Sequence, residues 1–277
     1  MIYVARPGVE ILRTAALAAR ARLHVARGRR VVEGEWTLGW SDCFLSRPIP
    51  QLALACRPVG RSVGEWCGWL AGRGVEDVGV EALGSRWGPR RAGAARSLVL
   101  VTKSSREVVR WRATTLYRTG SSSWVVVYRD AGRVGRRRDE SVERAASRLL
   151  STLERARSHL VSKKAGGSPE RRAYLLARTE EAVALLSEPN ARIRDGGELL
   201  PASGYGSVAQ RLAAACQVAW VFGGEGSWSD TTAVDREHGI AMALRDSILR
   251  ALVASVNDPL ASAPERSCID AQAAVGG

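Results

Sequence analysis

Hydrophobic residues in the second half of the chain recur at helical spacing. The clearest helix is predicted over residues 139–163, where apolar residues three and four positions apart form one stripe. The stripe consists of Val142, Ala145, Ala146, Leu149, Leu150, Leu153, Ala156 and Leu160. The sequence Lys163-Lys164-Ala-Gly-Gly-Ser-Pro follows, and its glycines and proline are expected to end the helix.

Three more helices are predicted after the long one. Residues 168–187 begin with Ser-Pro, the favoured order of N-cap and first helical residue. Ser207 and Gln210 are spaced as a capping box, which opens a second helix that ends at Gly223-Gly224. The third helix, over residues 235–257, repeats an apolar residue every four positions. Together these helices predict a small bundle or a helical cap on a sheet.

The first half of the chain shows the alternation of apolar and polar residues that is typical of strands. Strands are predicted over residues 35–41, 77–83, 97–103, 107–113 and 123–129. The last three follow one another too closely for crossover helices, so they are expected to form an antiparallel meander. In residues 107–113, Arg110 and Arg112 alternate with apolar residues, which predicts one packed and one basic sheet face.

Two helices are predicted beside these strands. Residues 9–27 are expected to form a surface helix or a loose arm, because this region is rich in Arg. Residues 46–61 hold three prolines and are expected to be a loop. A short helix over residues 63–72 follows. Its predicted buried face consists of Val63, Trp66, Cys67 and Leu70.

The pattern as a whole predicts an α+β protein. An antiparallel sheet with flanking helices is joined by the long helix to a small all-helical bundle. Four segments are expected: an N-terminal helix or arm (1–30), a basic sheet domain that includes the long helix (31–165), a helical domain (166–258) and a disordered tail (259–277).

Positive charge is concentrated before residue 165. Residues 1–165 contain 31 Lys and Arg against 14 Asp and Glu, whereas residues 166–277 contain 10 against 14. Arg outnumbers Lys by 38 to 3, which is typical of a GC-rich genome, but codon supply does not explain why the excess stops. The excess favours a polyanion as partner, either nucleic acid or an anionic protein.

Nine arginines are the candidate anion-binding residues: Arg86, Arg90, Arg91, Arg96, Arg110, Arg112, Arg136, Arg137 and Arg138. Arg binds phosphate bidentately and stacks on bases, and seven of the nine tryptophans fall in the same half. The meander places the first four and the last three at opposite ends of the sheet. A solvated face or a protein-contact surface is the alternative, and no RNP, KH or zinc-finger pattern is present.

A glycine-rich segment from Trp220 to Asp230 is the second candidate. Its glycines follow a predicted helix rather than a strand, and no Lys follows them, so neither a P-loop nor a dinucleotide fingerprint is present. The favoured interpretation is a helix stop and then a turn held by a buried Trp228. The residues of this possible functional turn are Gly223, Gly224, Gly226, Trp228, Asp230 and His238.

The Phe-Gly-Gly-x-Gly-Ser-Trp-x-Asp pattern in this segment resembles that of a group of uncharacterised bacterial proteins. The resemblance extends over residues 205–256, and those proteins carry Met and Asn where this chain has Glu225 and Ser229. It implies a bacterial source and assigns no activity.

Metal and nucleophile patterns are weak in this sequence. Asp230, Asp235 and His238 are a conceivable metal set, but acidic residues at a helix N-terminus are expected for dipole reasons alone. His24 and His159 are isolated on charged helices and are expected to be solvated. No Gly-x-Ser-x-Gly elbow is present, and the five cysteines form no Cys-x-x-Cys pair. We therefore expect no metal, no cofactor and no catalytic residue.

The leading hypothesis is a non-enzymatic, cytoplasmic binding protein. Its basic domain would engage nucleic acid or another polyanion, and its helical domain would contact a protein partner or a second copy of the chain. The odd number of cysteines favours a reducing compartment, and no apolar run approaches the ~20 residues that a membrane span needs. The alternatives are an enzyme with its site at residues 223–238 and a structural subunit of a larger assembly.

Overall fold

The computed structural model describes residues 9–28, 40–45, 58–60, 63–82, 98–119, 123–130, 140–162, 168–188, 199–201, 204–222, 228 and 235–261. The helices within these residues are α1 (Val9–Arg27), α2 (Val63–Gly72), α3 (Val142–Val161), α4 (Pro169–Ser187), α5 (Ser207–Ala219) and α6 (Asp235–Asn257). The strands are β1 (Trp40–Leu45), β2 (Pro58–Gly60), β3 (Val75–Ala82), β4 (Leu98–Ser104), β5 (Val108–Thr119) and β6 (Ser123–Asp130). This combination confirms the predicted α+β class.

The described strands form one sheet in the order β2-β1-β6-β5-β4-β3. The four strands from β3 to β6 pair antiparallel, which confirms the predicted meander. β1 runs parallel to β6, with Trp40 opposite Trp124 and Leu45 opposite Arg129. The sheet is therefore mixed at this edge rather than antiparallel throughout. β1 and β6 are far apart in sequence, so no hairpin fixes their relative direction.

The first two strands differ most from the sequence pattern. β1 begins at Trp40 rather than at residue 35, and residues 35–39 lie outside the described residues. β2 lies in the proline-containing stretch that was expected to be a loop. Its first residue is Pro58 and it is an edge strand, a position where the missing N–H of proline is tolerated.

α1 lies inside the fold, which differs from the surface helix or loose arm expected at the N-terminus. It packs on β3, β4, α2 and α6. Ile11, Leu17 and Leu23 are at most 3% exposed, and the alanines between them are buried as well. The sequence did not reveal this apolar face for two reasons. Arginines lie between its residues, and most of its residues are alanines, which add little to a hydrophobic pattern although they allow close packing.

The predicted faces of the other helices are confirmed where the described residues test them. In α2, the four expected residues are buried: Val63, Trp66, Cys67 and Leu70. Six of the eight stripe residues of α3 are buried, and Ala146 and Leu150 are half-buried. α5 begins differently from the prediction, because its N-cap is Gly206 and has no side-chain hydrogen bond. Gln210 donates to the Tyr205 carbonyl at 2.7 Å instead of completing a capping box.

One continuous hydrophobic core joins the sheet to the helices, with members from α1 to α6 and from β3, β4 and β5. At the sheet edge, the side-chain N–H of Asn257 donates to the Val80 carbonyl at 2.9 Å. The Asn257 oxygen accepts from the Val80 N–H at 3.0 Å, so this amide stands where a neighbouring strand would pair. Packing thus crosses residue 165, and the predicted domain limits stay a prediction.

Candidate functional site

Most candidate arginines lie in two connections: the β3–β4 connection (residues 83–97) and the β6–α3 connection (residues 131–139). Both lie outside the described residues, and they carry Arg86, Arg90, Arg91, Arg96, Arg136, Arg137 and Arg138. Arg112 belongs to β5, where its backbone lies opposite Val99 of β4. Arg110 is the candidate whose side chain the structure describes.

Strand pairing shows where the described strands that flank the two connections end. Ala82, the last residue of β3, lies opposite Leu98, the first residue of β4, so the β3–β4 connection leaves and re-enters at one end. Asp130, the last residue of β6, lies opposite Trp111, which pairs with Leu100, so β6 ends level with a residue two positions from Leu98 and four from Ser104. The register therefore does not separate the starts of the two connections to opposite ends of the sheet, and the predicted separation of the two arginine clusters stays a prediction.

Arg110 belongs to an internal ion pair rather than to an open basic face. Its Nε donates to Glu81 Oε2 at 3.0 Å, and its Nη2 donates to Glu81 Oε1 at 3.4 Å. The two side chains are only 14% and 12% exposed. Because the carboxylate neutralises the guanidinium, Arg110 adds little to the attraction of a distant anion. The alternation predicted that Arg110 lies on a solvated basic face, and this is wrong, because its side chain is shielded by the pairing with Glu81.

Arg22 of α1 shows the same internal use of arginine. Its Nε donates to Asp77 Oδ1 at 3.0 Å, and its Nη1 donates to the carbonyl oxygens of Val256 and Asp258 at 2.7 Å each. These contacts join α1 to β3 and to the C-terminal end of α6, where carbonyl oxygens lack helical partners. Tyr205 lies beside this cluster, and burial raises the pKa of its hydroxyl to about 12.

Trp228 is the described residue within the glycines and polar residues of this segment, and its predicted burial is confirmed at 0% exposure. Its backbone N–H donates to the Val221 carbonyl at 3.1 Å, just after α5. Its Nε1 donates to Glu237 Oε1 at 3.1 Å. Glu237 stands in the first turn of α6, where the helix dipole stabilises a carboxylate. The other turn candidates Gly223, Gly224, Gly226 and Asp230 lie outside the described residues.

His159, rather than His238, is the histidine that lies against Glu237. His238 is exposed, whereas the side chain of His159 is 9% exposed and its Nε2 lies 3.9 Å from Glu237 Oε2. This Nε2 has no hydrogen-bond partner. The prediction that His159 is solvated is wrong. A signal was available in the sequence, because His159 follows Ala156 of the predicted apolar stripe by three positions, which places both on one helix face.

The described residues contain no group of three or more His, Cys, Asp and Glu side chains that could hold a metal. Cys216 is fully buried, and its thiol lies 3.8 Å from the Ile248 carbonyl. Burial raises the pKa of this thiol, which keeps it protonated and a poor nucleophile.

No helix in the described part of the chain is long and apolar enough to cross a membrane. No protein-family model, no curated protein and no solved structure matches the chain. Its function has to be inferred from its own residues and charges.

Proposed function

We propose that this protein is a non-enzymatic binding protein that engages nucleic acid through the arginines of its connections. The observation that carries the proposal is a contrast between arginines that are bonded within the packed elements and two connections whose sequence is rich in arginine and poor in acid. Inside the packed elements, Arg22 and Arg110 are already bonded to carboxylates and carbonyls. The β3–β4 and β6–α3 connections hold eight arginines and one acidic residue, Asp139.

Eight guanidinium groups with one carboxylate among them leave a strong local excess of positive charge. The chain as a whole carries a net charge of +13, so its remaining acids do not balance this excess. A polyphosphate chain does balance it, and binding is favoured by the counterions released from the nucleic acid. Arginine suits this role because its planar fork binds two phosphate oxygens at once.

We also propose that the helical part contacts a protein, and two exposed residues support this. Tyr174 of α4 is 55% exposed, and Val161 at the end of α3 is 65% exposed. Both lie near the residues that join α3 to α4. Tyrosines are enriched at protein interfaces. The slight acidic excess after residue 165 does not favour the binding of nucleic acid by this part of the chain. We therefore assign the contact with a protein partner or a second copy to α4.

Binding of labelled oligonucleotides at two salt concentrations tests the proposal. Fluorescence anisotropy would be measured with duplex DNA, single-stranded DNA and RNA. For about four phosphate contacts, affinity is expected to fall about a hundredfold between about 50 and 200 mM salt. Absence of binding to all three at the lower salt concentration would contradict the proposal, and so would binding that does not depend on salt.

A further inference from the structure

α2 ends against the sheet at a shallow cleft that contains Arg73. The residues that line the cleft are Trp69, Arg73, Val75, Thr102, Ser104, Glu107 and Val109. The helix stops here because Gly74 has a positive φ of 63°, which glycine adopts without strain. The Gly74 N–H donates to the Ala71 carbonyl at 3.1 Å, so the backbone next to Arg73 is fixed.

Two tryptophans support the Arg73 side chain. The guanidinium carbon lies 4.8 Å from the centre of the Trp69 ring, within the range of a cation–π contact. Trp69 packs edge-on against Trp111, with ring centres 5.6 Å apart at 86°. Trp111 is 1% exposed and belongs to the core. The stack orients the guanidinium, whose N–H groups point outward from its edge and are suited to an oxyanion.

Glu107 is a replaceable partner of Arg73. Arg73 Nη1 donates to Glu107 Oε1 at 3.1 Å, but the two side chains are 54% and 47% exposed. Water and salt weaken an ion pair at this exposure. A phosphate group accepts the same N–H bonds from a guanidinium as a carboxylate does. The Glu107 backbone N–H donates to Ser104 Oγ at 3.2 Å, so the carboxylate can leave without moving the strand.

The last described residue of β6 pairs with one of the tryptophans that support the cleft. Asp130 is opposite Trp111, whose ring contacts Trp69. Arg106, in the turn between β4 and β5, is exposed beside the cleft residue Glu107. The arginines that follow Asp130 are Arg133, Arg136, Arg137 and Arg138. Arg73 is thus connected, through the Trp69 and Trp111 rings, to the residue after which this basic run follows in the sequence.

We infer that the Arg73 cleft binds a phosphate of the nucleic-acid backbone, which displaces Glu107 from the guanidinium. This inference rests on the proposed function and adds one defined contact to it. Glu107 acts as an internal competitor that lowers the affinity for nucleic acid.

Two conservative substitutions with opposite effects test the assignment. Glu107→Gln removes the competing charge and is expected to tighten the binding of a single-stranded oligonucleotide about fivefold, whereas Arg73→Gln weakens it about fivefold. The controls, Glu154→Gln and Arg155→Gln, change the net charge equally at exposed positions of α3. They are expected to change affinity less than about twofold. In the Arg73→Gln background, Glu107→Gln is expected to have no effect.

The possible outcomes separate this inference from the proposed function. If Glu107→Gln tightens binding equally with and without Arg73, its effect is one of overall charge and the inference is overturned. If both variants behave like the controls while the wild type binds, the inference fails and the proposed function stands. If no variant and no wild type binds, both fail.

Inorganic phosphate distinguishes the two sources of a phosphate group. At about 10 mM phosphate and constant ionic strength, the oligonucleotide is expected to remain bound, because several linked contacts hold it. Displacement at this concentration in the wild type but not in Arg73→Gln would assign the cleft to free phosphate and overturn the nucleic-acid assignment.

Discussion

Arg110 and Arg73 form ion pairs of nearly equal length in opposite surroundings. The Arg110–Glu81 contact measures 3.0 Å between side chains that are 14% and 12% exposed. The Arg73–Glu107 contact measures 3.1 Å between side chains that are 54% and 47% exposed. Removing the partner leaves a shielded charge in the first case and a hydrated charge in the second. Burial, more than contact distance, decides whether an arginine stabilises the fold or remains available to an anion.

The same distinction applies across the molecule. We call Arg22 and Arg110 the inner arginines, because their donors are bonded to groups of the packed elements. We call outer arginines those proposed above to bind nucleic acid, namely Arg73 and the arginines in the sequence of the β3–β4 and β6–α3 connections. Substitution of an inner arginine should change stability, and substitution of an outer arginine should change binding.

The largest effect on stability is expected at Arg22. Arg22→Met removes the partner of Asp77 and the donors to the carbonyl oxygens of Val256 and Asp258. The free energy of unfolding is expected to fall by about 3 kcal/mol. Urea unfolding at neutral pH measures this change. A loss below about 0.5 kcal/mol would show that the inner arginines are not needed for the fold.

Alkaline pH should weaken the same cluster through Tyr205, because burial raises the pKa of its hydroxyl to about 12 from 10.0. The unfolded chain loses this proton near pH 10 and the folded chain near pH 12, so stability is complete below pH 10 and falls between these values. The expected loss is about 2.5 kcal/mol.

Urea unfolding from about pH 9 to 12 measures this loss. Tyr205→Phe should flatten the pH dependence, whereas Tyr174→Phe, at an exposed position, should leave it as in the wild type. Identical pH profiles for the two variants would refute the role of Tyr205.

The two ion pairs can be compared by the same change in their acids. Glu81→Gln leaves Arg110 without its counter-charge in a shielded place and should lower the free energy of unfolding by about 2 kcal/mol. Glu107→Gln removes the charge from a contact of nearly equal length and should change the free energy of unfolding by less than about 0.5 kcal/mol. Thermal or urea unfolding of both variants gives the difference. If the two substitutions lowered the free energy of unfolding equally, burial would not determine how much each ion pair contributes to stability.

The smallest expected effect concerns the indole N–H groups near the glycine-rich turn. Trp228→Phe removes the donor to Glu237 and should cost about 1 kcal/mol beyond the loss of ring contacts. Trp220→Phe is the control, because the Nε1 of Trp220 has no hydrogen-bond partner. The measurement is urea unfolding of both variants. A control as destabilised as Trp228→Phe would argue against a role for this hydrogen bond.

The features that the sequence predicted best are local. α2 and α6 begin and end where their patterns indicated, and the buried face of α2 is the expected one. A helix depends on neighbours three and four residues away, so its pattern is visible in a short window. The parallel pairing of β1 with β6 depends on distant segments, and no local pattern specifies it.

The candidate site divides in the same way. The burial of Trp228 could be predicted, because it is a large apolar side chain among glycines and small polar residues, which cannot bury apolar surface themselves. The partner of Arg110 could not, since Glu81 lies on β3, with β4 between the two residues. Arg73 was missed because a single basic residue at the end of a helix is common, and its support by Trp69 appears only in the folded chain.

Two triple variants with the same loss of charge test most directly whether the outer arginines bind nucleic acid. One changes Arg136, Arg137 and Arg138 of the β6–α3 connection to Gln. The control changes to Gln three exposed arginines of α3, namely Arg144, Arg155 and Arg157. The slope of log affinity against log salt should lose about 2 to 3 units in the first variant and stay unchanged in the control. Equal slopes in the two variants would contradict the account.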